Sequence, residues 1–356
     1  MRLTEEHEEL RAAVRSLLAR HPDESAWRPL TEQIGVAGLA VPEEYGGAGC
    51  GALEIHVVME ELGRALAPVP FLGSAVLTTQ ALLASDEGEL LPALAEGSAV
   101  GALAWAENGS WDPDAVRAGA RRAAGGAWRL TGIKDHVLDG ADADVLIVAA
   151  RTDAGVRLFQ VAVDAPGLRR ERLVPMDSSR PQARIVLDGA EGRPLGADGD
   201  GARALRRARD LGCVALAAEQ VGAAERCLEL TVAYAGERVQ FGRPIGSFQA
   251  VKHRLADAYV RVEAARSAAL GAAFAAAEGA AELPRYAAVA KSACSEAFSA
   301  VAGEMIQLHG GIGITWEHDA HRYFKRAHGG GQLLGAPARH RERLAEELGL
   351  TASRAR

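Results

Sequence analysis

Two stretches of this chain hold residue types suited to gripping a diphosphate: Glu237-Arg238-Val239-Gln240-Phe241-Gly242-Arg243-Pro244-Ile245-Gly246-Ser247-Phe248-Gln249 and, far downstream, Gln307-Leu308-His309-Gly310-Gly311-Ile312-Gly313. Arg238 offers a planar fork for phosphate oxygens, Phe241 a flat face for a purine or ribose, and Gln249 both a donor and an acceptor. Gly310, Gly311 and Gly313 let backbone N–H groups crowd an anion without interference from a Cβ. The same pieces also fit a surface arginine at a helix end and a glycine-rich helix stop, so spacing alone leaves both readings open.

Other candidates are weaker. His318 and His321 are three residues apart and share a helix face, but no third ligand is in view, so a surface or interface role is expected and no metal. Glu317, beside Trp316, is undecided. The four cysteines (Cys50, Cys213, Cys227, Cys294) include no C-x-x-C pair, which suits reduced, buried thiols better than a disulfide frame or a zinc site.

The elements that must position these residues fall into three regions by periodicity, with expected bounds 1–99, 100–197 and 198–356. The first reads as all-helical. Thr4 caps a helix with the stripe Leu10, Val14, Leu17, Leu18, and a second helix covers Ala52 to Ala67 after the glycine-rich loop Pro42 to Gly49. In the middle region the period shortens toward two, as in Val145-Leu146-Ile147-Val148 and Arg157-Leu158-Phe159-Gln160-Val161, which predicts an antiparallel sheet or barrel. The third region returns to helical stripes, Leu205 to Ala235, Gln249 to Glu278, Pro284 to His309 and Arg339 to Leu348: a four-helix bundle. Thr351 to Arg356 are expected to fray. The fold class is therefore α+β.

Composition narrows the function. The chain has 356 residues, 48 % hydrophobic and 24 % charged, so it folds around a core of globular type. Lys plus Arg is 40 against 47 for Asp plus Glu, a net charge of −7, so no basic field gathers nucleic acid. The opening turns acidic within six residues, with no apolar signal run, and the longest weakly polar stretch, Ala268 to Ala277, is too short to cross a bilayer. A cytoplasmic protein without a membrane span is expected.

Three ordered motifs give the chain a family likeness. Gly35-x-x-Gly38-Leu39-x-x-Pro42-Glu43-x-x-Gly46-Gly47, Arg238-x-x-Phe241-Gly242-x-Pro244-Ile245-x-x-Phe248-Gln249 and Gln307-x-x-Gly310-Gly311-x-Gly313 resemble those of the acyl-CoA dehydrogenases, flavoproteins that desaturate acyl-CoA thioesters between the α and β carbons. The likeness covers nearly the whole chain. It implies an N-terminal helical domain, a middle β-domain and a C-terminal four-helix bundle, with FAD as cofactor, an acyl-CoA substrate and an electron-transfer flavoprotein or similar acceptor. By that resemblance Arg238, Phe241, Gln249, Gln307, Gly310, Gly311 and Gly313 grip the ADP half of an FAD bound mainly to a neighbouring subunit.

The flavin-ring half departs from the family. Its Thr-Glu-Pro segment with a following Gly-Ser is here Ala106-Glu107-Asn108-Gly109-Ser110, so Ala106 replaces a hydroxyl. Its Trp-x-Thr-Asn-Gly is here His136-Val137-Leu138-Asp139-Gly140, which loses an aromatic wall and, at Leu138, a second hydroxyl. Backbone N–H groups, as at Val137, remain to serve a flavin. The aromatic-Glu-Gly-Thr becomes Leu333-Leu334-Gly335-Ala336, so Leu334 stands where most members carry the catalytic glutamate. The alternative address, one helix earlier, is Gly212, and the arginine that follows it in some members aligns with Cys213. Removing a weakly acidic proton beside a thioester needs a base, worth about 10²–10⁴-fold. Asp210 lies off the vacant face and is expected as a helix-cap or surface residue. Glu219, the other nearby carboxylate, could equally pair with an arginine across the bundle, and its role stays open.

Three readings follow from this likeness. The chain is a base-less subunit of a heterotetramer with a base-bearing acyl-CoA dehydrogenase, or a self-sufficient homo-oligomer with an unidentified base, or a flavin-free CoA-ester-binding or scaffold protein. The losses cluster on the ring half (Ala106, Leu138, Ala336) and at the base, while the ADP half is complete, which favours the first.

Overall fold

The computed structural model describes residues 2–350, so Thr351 to Arg356, expected to fray, lie outside them. Thr4 opens α1 (Glu5–Arg20). Its N–H donates to His7 Nδ1 at 3.1 Å and its hydroxyl lies 2.6 Å from the same nitrogen. His7 thus reaches back to the cap from the third helical position, as Glu or Gln does in a capping box. Val14, Leu17 and Leu18 are buried on one face. The turn α2 (Trp27–Pro29), α3 (Ala52–Ala65), α4 (Thr79–Leu83) and α5 (Leu91–Glu96) follow. Between α3 and α4, Phe71–Thr78 form a π-helical segment buried at every residue, Ser74 and Thr78 included, so it shows no one-sided helical stripe.

Seven strands come next: β1 (Gly101–Ala104), β2 (Gly119–Arg122), β3 (Trp128–Leu138), β4 (Val145–Thr152), β5 (Gly155–Val161), β6 (Leu168–Arg172) and β7 (Gln182–Leu195). Pairing runs β4, β2, β3, β7, β5 and back to β4, so the sheet closes on itself, with β1 added to β4 and β6 to β7. The purely antiparallel pairing expected from sequence needs correcting, because β1 and β2 both run parallel to β4. Inward alternation places Leu130, Leu146, Val148, Phe159 and Ile185 in one core, where Trp128 meets Phe159 edge-on at 5.5 Å.

The remaining elements are α6 (Gly201–Glu237), a hairpin of β8 (Val239–Gln240) and β9 (Arg243–Pro244), α7 (Gln249–Ala277), α8 (Leu283–His309), α9 (Ala320–Gln332) and α10 (Pro337–Glu347). Four match the expected stripes; α9 is a fifth helix not anticipated. Its end, Gly329-Gly330-Gly331, costs roughly 1 kcal/mol per glycine against Ala. The wholly buried Lys291 of α8 offsets part of that cost. It donates to the carbonyls of Gly330 and Gly331 at 3.3 and 3.0 Å, which would otherwise lack partners at a helix terminus.

The chain packs as two compact units. One takes residues 2–19, 56–67 and 213–350, and the other 20–55 and 68–212, including the barrel. In the first unit Arg11 and Arg15 hold α1 to the buried acids Glu60 and Glu61 of α3 at 2.6 and 2.7 Å, and Arg266 of α7 reaches Glu60 at 2.5 Å. The face of α7 toward the core is Ala258, Val262, Ala265, Ala269 and Ala272, small side chains that admit close helix packing. Cys213, Cys227 and Cys294 are buried and outside any disulfide, whereas Cys50, expected to be buried, is exposed at the end of a loop. Among the described residues no helix is long and apolar enough to cross a membrane.

Candidate functional site

The first unit brings the two diphosphate-type motifs together. Arg238 follows α6, its N–H donating to Tyr234 O at 2.8 Å, and its side chain is exposed. The β8–β9 hairpin turns through Phe241 and Gly242, both at positive φ (+52° and +77°), as a two-residue hairpin of matching twist requires. That turn leaves Phe241 94 % exposed, its ring edge-on to Phe248 at 6.2 Å, while the Arg243 guanidinium lies over Phe248 at 4.0 Å. Gln249 is the first residue of α7 and is exposed.

Gln307 is exposed in the last turn of α8, which ends at Gly310 (φ +63°) and continues as a tight turn over Gly310–Ile314. Gly310 and Gly311 are exposed. Gly313 is buried, and a Cβ there would press on Ile306 O and His309 Cβ at 3.2 Å. Tyr234 joins the two motifs, its ring stacked on His309 at 4.3 Å and its hydroxyl donating to His309 O at 3.4 Å. Arg238 stands one helical turn after Tyr234 and Gly310 directly after His309. Sequence reasoning missed Tyr234 and His309, because nothing in either motif marks a stacking partner.

His309 bonds Met305 O through Nδ1 at 2.7 Å, and burial lowers its pKa against the opposing pull of that bond. His318, which packs its ring on His309 at 4.3 Å, and His321, edge-on to Trp316 at 4.6 Å, are ring partners. Among the described residues no group of three or more His, Cys, Asp or Glu could hold a metal.

In the second unit the structure gathers the ring-type residues. Ala106 is buried, and its carbonyl accepts from Asp135 N–H at 2.9 Å. Glu107 accepts from Lys134 Nζ at 2.5 Å and from the N–H groups of Arg117 and Ala118 at 2.8 and 2.9 Å. Burial pushes the Lys134 amine down to about 8 against the opposing pull of Glu107. Asn108 and Gly109 both take positive φ, and Ser110 pairs back to Glu107. Asp135 and His136 bulge from β3, since pairing with β7 slips between Lys134 and Val137. His136 (φ +55°) is exposed, its Nδ1 2.9 Å from Gln182 Oε1 and its ring 6.5 Å from that of Trp111. Val137 faces the barrel core, and Leu138 packs beside Gly73, so these two bring backbone but no polar side chain.

Neither base address holds a carboxylate. Leu334 is 1 % exposed, with φ +59° and its carbonyl 3.1 Å from His340 Nε2; Gly212 lies within α6. Asp210, expected at a cap or surface, is instead buried within α6 and paired with Arg209 at 3.2 Å. Of the two readings open for Glu219, the structure shows the pair, with Arg326 at 3.1 Å.

Comparison with known proteins places these observations. Residues 4–98 match the family described as acyl-CoA dehydrogenase, N-terminal domain, and residues 199–349 the acyl-CoA dehydrogenase, C-terminal domain. The chain is 43 % identical to acyl-CoA dehydrogenase IpdE2 of Mycobacterium tuberculosis, over 97 % of this chain and 98 % of the relative. Its fold is similar to that of the ChsE4-ChsE5 complex from Mycobacterium tuberculosis, at 32 % identity and a TM-score of 0.88 over 99 % of each chain. It also resembles a variant of the Tcur3481-Tcur3483 steroid ACAD, at 35 % identity and a TM-score of 0.86 over 97 % of this chain and 98 % of that one.

Proposed function

Because this chain belongs to the acyl-CoA dehydrogenase family, we propose that it works as the base-less subunit of a heteromeric FAD enzyme that desaturates an acyl-CoA thioester. The family's chemistry is an FAD-dependent oxidation, for which a bound flavin would supply the hydride acceptor. The observation that carries the reading is the state of the acids. Leu334 and Gly212 occupy both addresses of the base, while the nearby carboxylates Asp210 and Glu219 are committed to Arg209 and Arg326.

The donor set fits the nucleotide end of FAD better than its ring. Arg238, Phe241, Gln249 and Gln307 are exposed on one unit beside a turn of bare glycine backbone, ready to meet the ADP half of a neighbour's cofactor. Toward the ring, Ala106, Gly109, Ser110, Val137 and Leu138 supply backbone and a single hydroxyl. Two similar solved structures carry paired names, ChsE4-ChsE5 and Tcur3481-Tcur3483, which supports a partner subunit. The reading also includes a division into domains at 1–99, 100–197 and 198–356, an electron-transfer flavoprotein or similar acceptor, and a cytoplasmic setting.

The test is the visible spectrum of the purified chain, alone and co-expressed with a base-bearing relative. A colourless lone chain that becomes flavinated and active only in the mixed assembly supports the reading. A yellow lone chain that oxidises acyl-CoA overturns it.

A further inference from the structure

α7 is held by its own chain along one stripe and open along another. Ala258, Val262, Ala265 and Ala269 are buried, three and four residues apart on a single helical face. A second stripe holds Lys252, Ala256, Tyr259 and Glu263, at i, i+4, i+7 and i+11, all exposed and Tyr259 at 57 %. At about 100° per residue these four fall within about 60° of one another, clear of the buried stripe. Val260, 64 % exposed, widens the apolar middle.

Little within the chain occupies these side chains. Lys252 and Tyr259 make no side-chain hydrogen bond or ion pair among the described residues. Glu263 touches Arg266 at 3.5 Å, farther than the 2.5 and 2.7 Å at which Arg266 holds Glu60 and Glu225. The order along the stripe is cation, small residue, aromatic, anion. Laid end for end against itself, it sets Lys252 opposite Glu263 and Ala256 opposite Tyr259, so each charge meets its opposite and each ring meets a gap. A two-fold axis repeats both matches, as contact between identical faces requires. Parallel alignment would instead set like charge against like.

We propose that α7 docks antiparallel on α7 of a second copy of this chain, with Lys252 of each copy paired to Glu263 of the other and Tyr259 seated over Ala256. Tyr259 is the aromatic anchor of the contact, and the two ion pairs set its direction and register. The inference depends on neither the flavin nor the missing base. In the heteromeric assembly proposed above, it brings copies of this chain together in pairs, like against like.

The test is sedimentation of the full chain, alone, over a dilution series. The unmodified chain should show a reversible dimer. Lys252→Glu and Glu263→Lys should each weaken that dimer about tenfold or more, because symmetry turns one reversal into two facing like charges. The double variant carrying both reversals restores the pairs, and its affinity should return to within about threefold of the natural chain. Such rescue separates a facing pair from general damage to a surface helix. A monomeric unmodified chain overturns the proposal, as does a dimer indifferent to both single reversals or a double variant no better than the singles. Each of these failures leaves untouched the flavin spectrum by which the heteromeric reading is judged.

Discussion

Gly63 of α3 and Gly222 of α6 hold their helices in backbone contact: a Cβ on Gly63 would fall 2.0 Å from Glu219 O, and one on Gly222 would fall 1.9 Å from Glu60 O. The buried acids Glu60 and Glu219 flank this crossing, and arginines from α1, α7 and α9 close on them. A charged crossing of this kind tolerates loss of a partner poorly.

Gly222→Ala should therefore destabilise the chain by at least ~3 kcal/mol, the upper end of ordinary overpacking, because the obstructing atom is backbone and cannot swing away. Gly303→Ala is the control. Gly303 lies in α8 with nothing within 4 Å of its Cβ position, so there the helix should gain up to about 1 kcal/mol. Urea midpoints of the two variants should move in opposite directions.

Arg238→Ala should weaken FAD retention more than tenfold in the assembly that binds it, since a charge-assisted contact is worth roughly 1.5–3 kcal/mol. Flavin release during gel filtration reads this directly. Unchanged retention would remove Arg238 from the nucleotide site.

His56 gives the fold a dependence on acid. Burial pushes its imidazole down to about 4, against the pull of Glu60, so the folded chain resists a proton that the unfolded chain accepts near 6.5. Its contribution is complete above about 6.5 and is lost as the pH falls through 4, a change on the order of 3 kcal/mol. Chemical unfolding at pH 7 and pH 4.5 should show this slope in the natural chain and a shallower one in His56→Phe.

The lone homomer should turn over acyl-CoAs at a negligible rate. On the proposed reading, in which Leu334 stands at the family's base position, Leu334→Glu should restore a trace wherever flavin is bound. Stopped-flow bleaching of the flavin by substrate is the measurement.

The long helices were legible because their stripes are long and their ends carry Gly or Pro. The start of α7 at Gln249 and the end of α8 at His309 fall where the sequence puts them. α9 was not, since Gly329-Gly330-Gly331 reads as a loop until Lys291, distant in sequence, is seen to hold its carbonyls. The same distance effect hid Tyr234 beside His309 and buried Asp210. That positions 334 and 212 hold Leu and Gly, by contrast, needed only residue identities. The parallel pairing of β1 and β2 with β4 could not be read, because strand periodicity says nothing about direction.

Within the seven-stranded sheet, the ring of pairing that runs from β4 through β2, β3, β7 and β5 leaves β1 and β6 outside it. β1 is buried along its whole length, and β6 carries the charged Arg169, Glu171 and Arg172, exposed side chains that disfavour pairing with another strand. Closure thus leaves this sheet little open margin along which copies of the chain could zip together.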